Sequence, residues 1–81
     1  MRIDKYLKVS RIIKRRTVAK EACDRQLVIL NGRAAKAGAE VAVGDDIRVM
    51  FGKSELHVRV LSLAESKRKE DADLMYEILG D

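Results

Sequence analysis

At Leu27 the spacing of the apolar residues changes period, and that change limits what the chain can fold into. Before it, Ile3, Leu7 and Ile12, with Tyr6 beside them, recur at roughly helical intervals. After it, Ile47, Val49 and Phe51 alternate with Arg48 and Met50. Leu56, Val58 and Val60 then alternate with His57, Arg59 and Leu61. Helices followed by strands specify an α+β architecture. With 81 residues there is room for one domain and a modest core. No proline interrupts any helix.

The periods place the elements. A first amphipathic helix runs over residues 3–12, its polar face carrying Asp4, Lys5, Lys8 and Arg11. A basic joint at Lys14, Arg15 and Arg16 precedes Thr17, the expected N-cap of a second helix that runs to about Arg25. Val18, Ala19, Ala22 and Cys23 form its expected buried stripe. Residues 27–30 read as a short strand, Asn31-Gly32 as a tight turn, and Gly44-Asp45-Asp46 as another. Gly52-Lys53 closes a hairpin between the two alternating runs. From Glu65 the chain is highly charged, and Leu74, Met75, Ile78 and Leu79 return at helical spacing. The expected organisation is therefore a domain over 1–64 and a charged C-terminal helix over 65–81.

Charge is distributed as unevenly as hydrophobicity. Through Lys20 there are eight basic residues against Asp4, a local balance of +7 in a chain whose net charge is +4. Like charges three and four apart on a helix repel. A polyanion would relieve that repulsion and release counterions on binding. Arginine is prominent, and its planar fork suits phosphate. The expected start of the second helix adds free backbone N–H groups close by. Two helices joined by a basic turn also fit a DNA-binding helix-turn-helix. However, the hairpin that follows returns Arg33 and Lys36 toward them, which makes a mixed α/β surface.

Catalytic patterns are missing from the sequence. It has no glycine-rich phosphate loop, no GxSxG and no HExxH. His57 reads as a strand histidine at the edge of the core, and the lone Cys23 as a small buried hydrophobe. Asp45-Asp46 and Glu70-Asp71 read as turn and helix-surface residues. No metal or other cofactor is expected. No window approaches the length of a membrane span, and no apolar run follows the basic start. A reducing cytoplasmic setting is expected.

At this point the residues resemble a family. Arg2-Ile3-Asp4-Lys5-Tyr6-Leu7, Ser10-Arg11, Arg16-Thr17-Val18-Ala19, Val28, Asn31-Gly32, Lys36 and Val43-Gly44-Asp45-Asp46-Ile47 are similar, in that order, to the S4 RNA-binding domain. The resemblance covers about residues 1–50. It implies an αL motif: two short antiparallel helices packed on a small, bent antiparallel sheet, here with the C-terminal helix added. It also implies binding of structured RNA. The opening stretch, the length and the charged end look most like the short stand-alone bacterial members. Those members join the large (50S) ribosomal subunit after stalled ribosomes split.

Such a factor, by resemblance, contacts ribosomal RNA and peptidyl-tRNA. It supports C-terminal tailing of the stalled chain beside a tail-elongation factor that recruits transfer RNA. It would be a non-enzymatic monomer with no membrane partner. Arg2 and Arg16 look like first-rank RNA contacts, with Lys8, Arg11, Lys14, Arg15, Lys20 and Lys36 as phosphate neighbours. Asp4 would orient a nearby Arg or cap its helix. Gln26 stands where the family commonly has glycine, at a left-handed C-cap. The alternatives are a targeting subunit of an RNA-modifying enzyme, a heat-shock-type S4 protein that recycles stalled large subunits, and a duplex-DNA binder. The heat-shock type normally carries a long basic extension, whereas the C-terminal end here is acidic.

Overall fold

A computed structural model describes residues 1–64 and 74–80. Two helices, α1 (Ile3–Val9) and α2 (Arg16–Asp24), precede β1 (Val28–Leu30), β2 (Arg33–Ala34), β3 (Asp46–Phe51), β4 (Ser54–Val60) and β5 (Tyr76–Gly80). The strands form one antiparallel sheet in the order β2-β1-β3-β4-β5. Between β1 and β2, Asn31 (φ 51°) and Gly32 (φ 84°) both sit in the left-handed region, as a two-residue turn between twisted strands requires. The β3–β4 hairpin pairs Ile47 with Val58 and Val49 with Leu56, the register expected from the alternation.

Ile3, Tyr6 and Leu7 of α1, Ala19 and Cys23 of α2, and Val28, Ile47, Val49, Val58 and Val60 of the sheet form one buried core. The helix stripe differs from expectation in two places. Val18 is exposed and Ala22 only half-buried. Ala19 and Cys23, one turn apart, face the sheet, so Val18 and Ala22 turn to one side of it. Asp4, expected on the polar face of α1, is buried.

The helix ends explain themselves locally. α1 stops at Val9, short of Ile12, because Ser10 caps it and Arg11 takes φ 64°. Arg15, not Thr17, is the N-cap of α2. At the C-terminus of α2 the Leu27 N–H donates to Ala22 O and the Gln26 N–H to Cys23 O, both at 2.9 Å, a Schellman closure. Gln26 accordingly adopts φ 61°. The turn keeps the geometry a glycine would favour, and the side chain bears the strain, which is on the order of 1 kcal/mol.

The expected C-terminal helix is overturned where it can be seen. Residues 65–73 lie outside the described residues, but Tyr76–Gly80 is a strand that pairs with β4. Five residues with a β-branched Ile78, an aromatic Tyr76 and a glycine make a poor isolated helix. The open edge of β4 offers them a ladder of backbone partners instead. The segment is pinned by the buried Met75. Its carbonyl oxygen accepts from the Tyr6 hydroxyl at 2.6 Å, Leu61 N at 2.8 Å and Ser62 N at 3.2 Å. Burial, and secondarily the neighbouring Tyr76, raises the Tyr6 pKa, which keeps that hydroxyl protonated as a donor.

Candidate nucleic-acid interface

Arg2, the N-cap of α1, offers no side-chain cap, so the first N–H groups of the helix find partners elsewhere. Ile3 N donates to Ala39 O (2.8 Å) and Asp4 N to Ala37 O (3.3 Å), while Val41 N donates to Met1 O (2.9 Å). The N-terminal ammonium pairs with Glu40 at 2.9 Å. This strapping holds the loop after β2, residues 35–41, against the start of α1. As a result Arg2 and Lys36, 34 positions apart in sequence, belong to one surface.

Asp4 organises that surface. Its side chain is 3% exposed, while those of Arg2 and Arg16 are 49% and 47% exposed. Arg2 Nη2 lies 3.3 Å from Asp4 Oδ2. Arg16 approaches fork-on, Nε 3.5 Å from Oδ2 and Nη2 3.5 Å from Oδ1. Lys5 N donates to Oδ1 at 2.8 Å. One buried carboxylate therefore aims two guanidinium groups, from the N-cap of α1 and the first residue of α2, and the cluster stays net positive. Both Arg contacts are longer than a tight charge-assisted bond, so donors remain free to meet an anion. The geometry supports both roles expected of Asp4: it orients Arg2 and Arg16, and through Lys5 N it satisfies a first-turn N–H of its own helix.

The remaining cations divide sharply. Lys8, Arg11, Lys14, Arg15, Lys20, Arg33 and Lys36 are exposed, and none has a carboxylate partner among the described residues. Lys8 is one turn along α1 from Asp4, and Lys20 is one turn along α2 from Arg16, so both extend the clamp. Lys14 lines a different feature. With Val18, Met50 and Phe51 it borders an apolar groove of about 440 Å³ between α2 and the β3–β4 tip. On β3–β5, by contrast, Arg48 pairs with Glu55 (3.1 Å) and Arg59 with Glu77 (3.7 Å), and His57 Nε2 shares a hydrogen bond of 2.6 Å with Asp46 Oδ2. Cys23 is buried, and burial first, then Asp4 and Asp24, pushes its thiol up to about 11. It is thus a packed thiol, not a nucleophile.

Two features escaped the sequence reading. The first is the burial of Asp4, although a lone acid among eight cations could have signalled a shared partner. The second is the close approach of the loop at Gly38 to Arg2, which periodicity does not mark.

The S4 domain family profile matches residues 1–47, which hold both helices, the β1–β2 hairpin and the Asp4 cluster. The chain belongs to the S4 domain family. Over all 81 of its residues this S4 protein is 52% identical to the "RQC P-site tRNA stabilizing factor" of Streptococcus pneumoniae, covering 92% of that protein. It is 49% identical to the Bacillus subtilis protein of the same name, covering 94% of it. Among solved structures, Vibrio cholerae heat shock protein 15, described as trimeric, superposes with a TM-score of 0.88 at 26% identity. That match covers 96% of this S4 chain and 80% of the other. No helix among the described residues is long and apolar enough to cross a membrane.

Proposed function

We propose that this S4 protein is a non-enzymatic RNA-binding factor that stabilises P-site tRNA on the stalled large ribosomal subunit. In this reading it contacts ribosomal RNA and peptidyl-tRNA. It thereby supports C-terminal tailing in ribosome-associated quality control, beside a tail-elongation factor, as a cytoplasmic monomer. The observation that carries the RNA-binding part is the arginine pair hung on buried Asp4 within a field of cations that lack carboxylate partners among the described residues. Such a field binds phosphates at little cost in reorganisation, because the protein has already aligned the donors. The choice of ribosomal RNA and transfer RNA, over duplex DNA, rests on the full-length similarity to proteins named for P-site tRNA.

The mechanism is mutual fixation. Arg2 and Arg16 each engage a phosphate while Asp4 holds their stems. Arg11, Arg15, Lys8, Lys20 and Lys36 add counterion release around them. Lys14 sits at the margin, beside the apolar groove. A factor so attached would hold transfer RNA and ribosomal RNA in a fixed mutual position, which is what tail addition without a template requires.

A sucrose gradient of cell extract with tagged protein tests this. The protein should migrate with large subunits that carry peptidyl-tRNA and not with intact ribosomes, and the Arg2→Ala/Arg16→Ala variant should stay at the top. A double variant that still migrated with large subunits would place the interface elsewhere. The likeness in fold to heat shock protein 15 accompanies a second reading that the S4 resemblance implies, the recycling of stalled large subunits. Tail addition that proceeds normally in cells lacking this protein would select it.

A further inference from the structure

Beside the Asp4 clamp, on the hairpin side, is a concavity of about 600 Å³ that the arginine pair does not account for. Its floor is made by Ala34, Ala35 and Ala39, and its rim carries Arg33 and Lys36. Gly38 forms one end. The Arg2 guanidinium lies flat against that glycine. Cζ, Nη2 and Nε are 3.9, 3.9 and 4.0 Å from the position a Cβ on Gly38 would occupy. No carboxylate lines the concavity, and neither Arg33 nor Lys36 has an ionic partner among the described residues.

We propose that this concavity takes one unstacked nucleotide of the bound RNA, a deepening that rests on the RNA-binding reading above. Two features of the site point to that ligand. The rim cations and Arg2 suit the phosphates on either side of the nucleotide. The apolar floor gains nothing from a phosphate, but it is suited to the flat face of a base, and small side chains let that face approach closely. A base can also lie against the plane of an arginine. Paired bases in a helix have both faces covered by their neighbours, so the site selects a bulged or looped-out residue. This gives a protein with few aromatic side chains a way to distinguish structured RNA with an extruded base from plain duplex.

The test uses the full chain and two synthetic RNAs, a perfectly paired hairpin and the same hairpin with one bulged nucleotide. The bulged RNA should bind roughly tenfold tighter, the scale of one stacked base. Ala34→Leu fills the floor without changing charge. It should abolish that gain while leaving the affinity for the paired hairpin, and its salt dependence, unchanged. Arg33→Ala, at an exposed position on β2, should weaken both RNAs and also remove the gain. Equal binding of the two RNAs by the parent protein, or a gain that survives both substitutions, overturns the nucleotide site and leaves the RNA-binding reading intact. Absence of salt-dependent binding to either RNA overturns both.

Discussion

The helices with the β1–β2 hairpin and the outer face of β3–β5 carry similar side chains but use them in opposite ways. On β3–β5 each arginine meets an acid: Arg48 pairs with Glu55 and Arg59 with Glu77. On the helical side seven exposed cations have no partner among the described residues, and the one buried acid is shared between two arginines. The first arrangement satisfies itself and is worth little beyond solubility, because exposed pairs contribute only about 0–1 kcal/mol. The second stores repulsion that an external anion removes. The difference separates a surface built for the fold from one built for a ligand, and net charge alone would not reveal it.

Exchanging the sites of damage breaks the comparison if it is wrong. Arg2→Ala with Arg16→Ala should weaken RNA binding roughly 100-fold, from two charge-assisted contacts of about 1.5 kcal/mol each. Circular dichroism should be unchanged. Arg48→Ala with Arg59→Ala removes the same charge from the sheet and should leave RNA affinity within about twofold in a filter-binding assay.

Asp4→Asn sharpens the claim that the clamp works by preorganisation. It leaves every cation in place but frees two side chains, each costing about 1 kcal/mol to immobilise again. Affinity should drop roughly 30-fold, and Asp4→Glu should restore part of it. Tyr6→Phe acts on the fold alone. Losing the hydrogen bond to Met75 should cost about 1 kcal/mol and lower Tm by ~4–8 °C, with RNA affinity unchanged. The smallest effect expected is from Gln26→Gly. Relief of the left-handed strain is partly offset by the flexibility of glycine in the unfolded chain, for a net gain of about 0.5 kcal/mol in chemical denaturation.

How much was legible follows from what each residue's neighbours in sequence can report. The β3–β4 hairpin was readable because Ile47, Val49 and Val58 obey a strict alternation, and Asn31-Gly32 because few dipeptides tolerate two positive φ angles. The end of the chain was not. Leu74, Met75, Ile78 and Leu79 satisfy a helical spacing, and only the free edge of β4, a tertiary fact, makes Tyr76–Gly80 a strand. Val18 was misplaced because a nine-residue helix on a small sheet buries a narrow stripe, Ala19 and Cys23 alone. At the interface, the basic residues were visible by composition. Their partition into clamped, unpaired and groove-side groups was not, because it depends on which carboxylates the fold brings near. Asp4 reads as one residue of the polar face of the first helix until Arg16, twelve residues away, arrives beside it.

Cations on the helical side, Arg2 and Arg16 foremost, meet phosphates while the arginines of β3–β5 do not. The salt dependence of affinity for large-subunit RNA tests this most directly. The slope of log affinity against log salt should be steep for the parent protein, shallower by roughly two in Arg2→Ala/Arg16→Ala, and unchanged in Arg48→Ala/Arg59→Ala. Equal losses of slope in the two double variants would contradict the account.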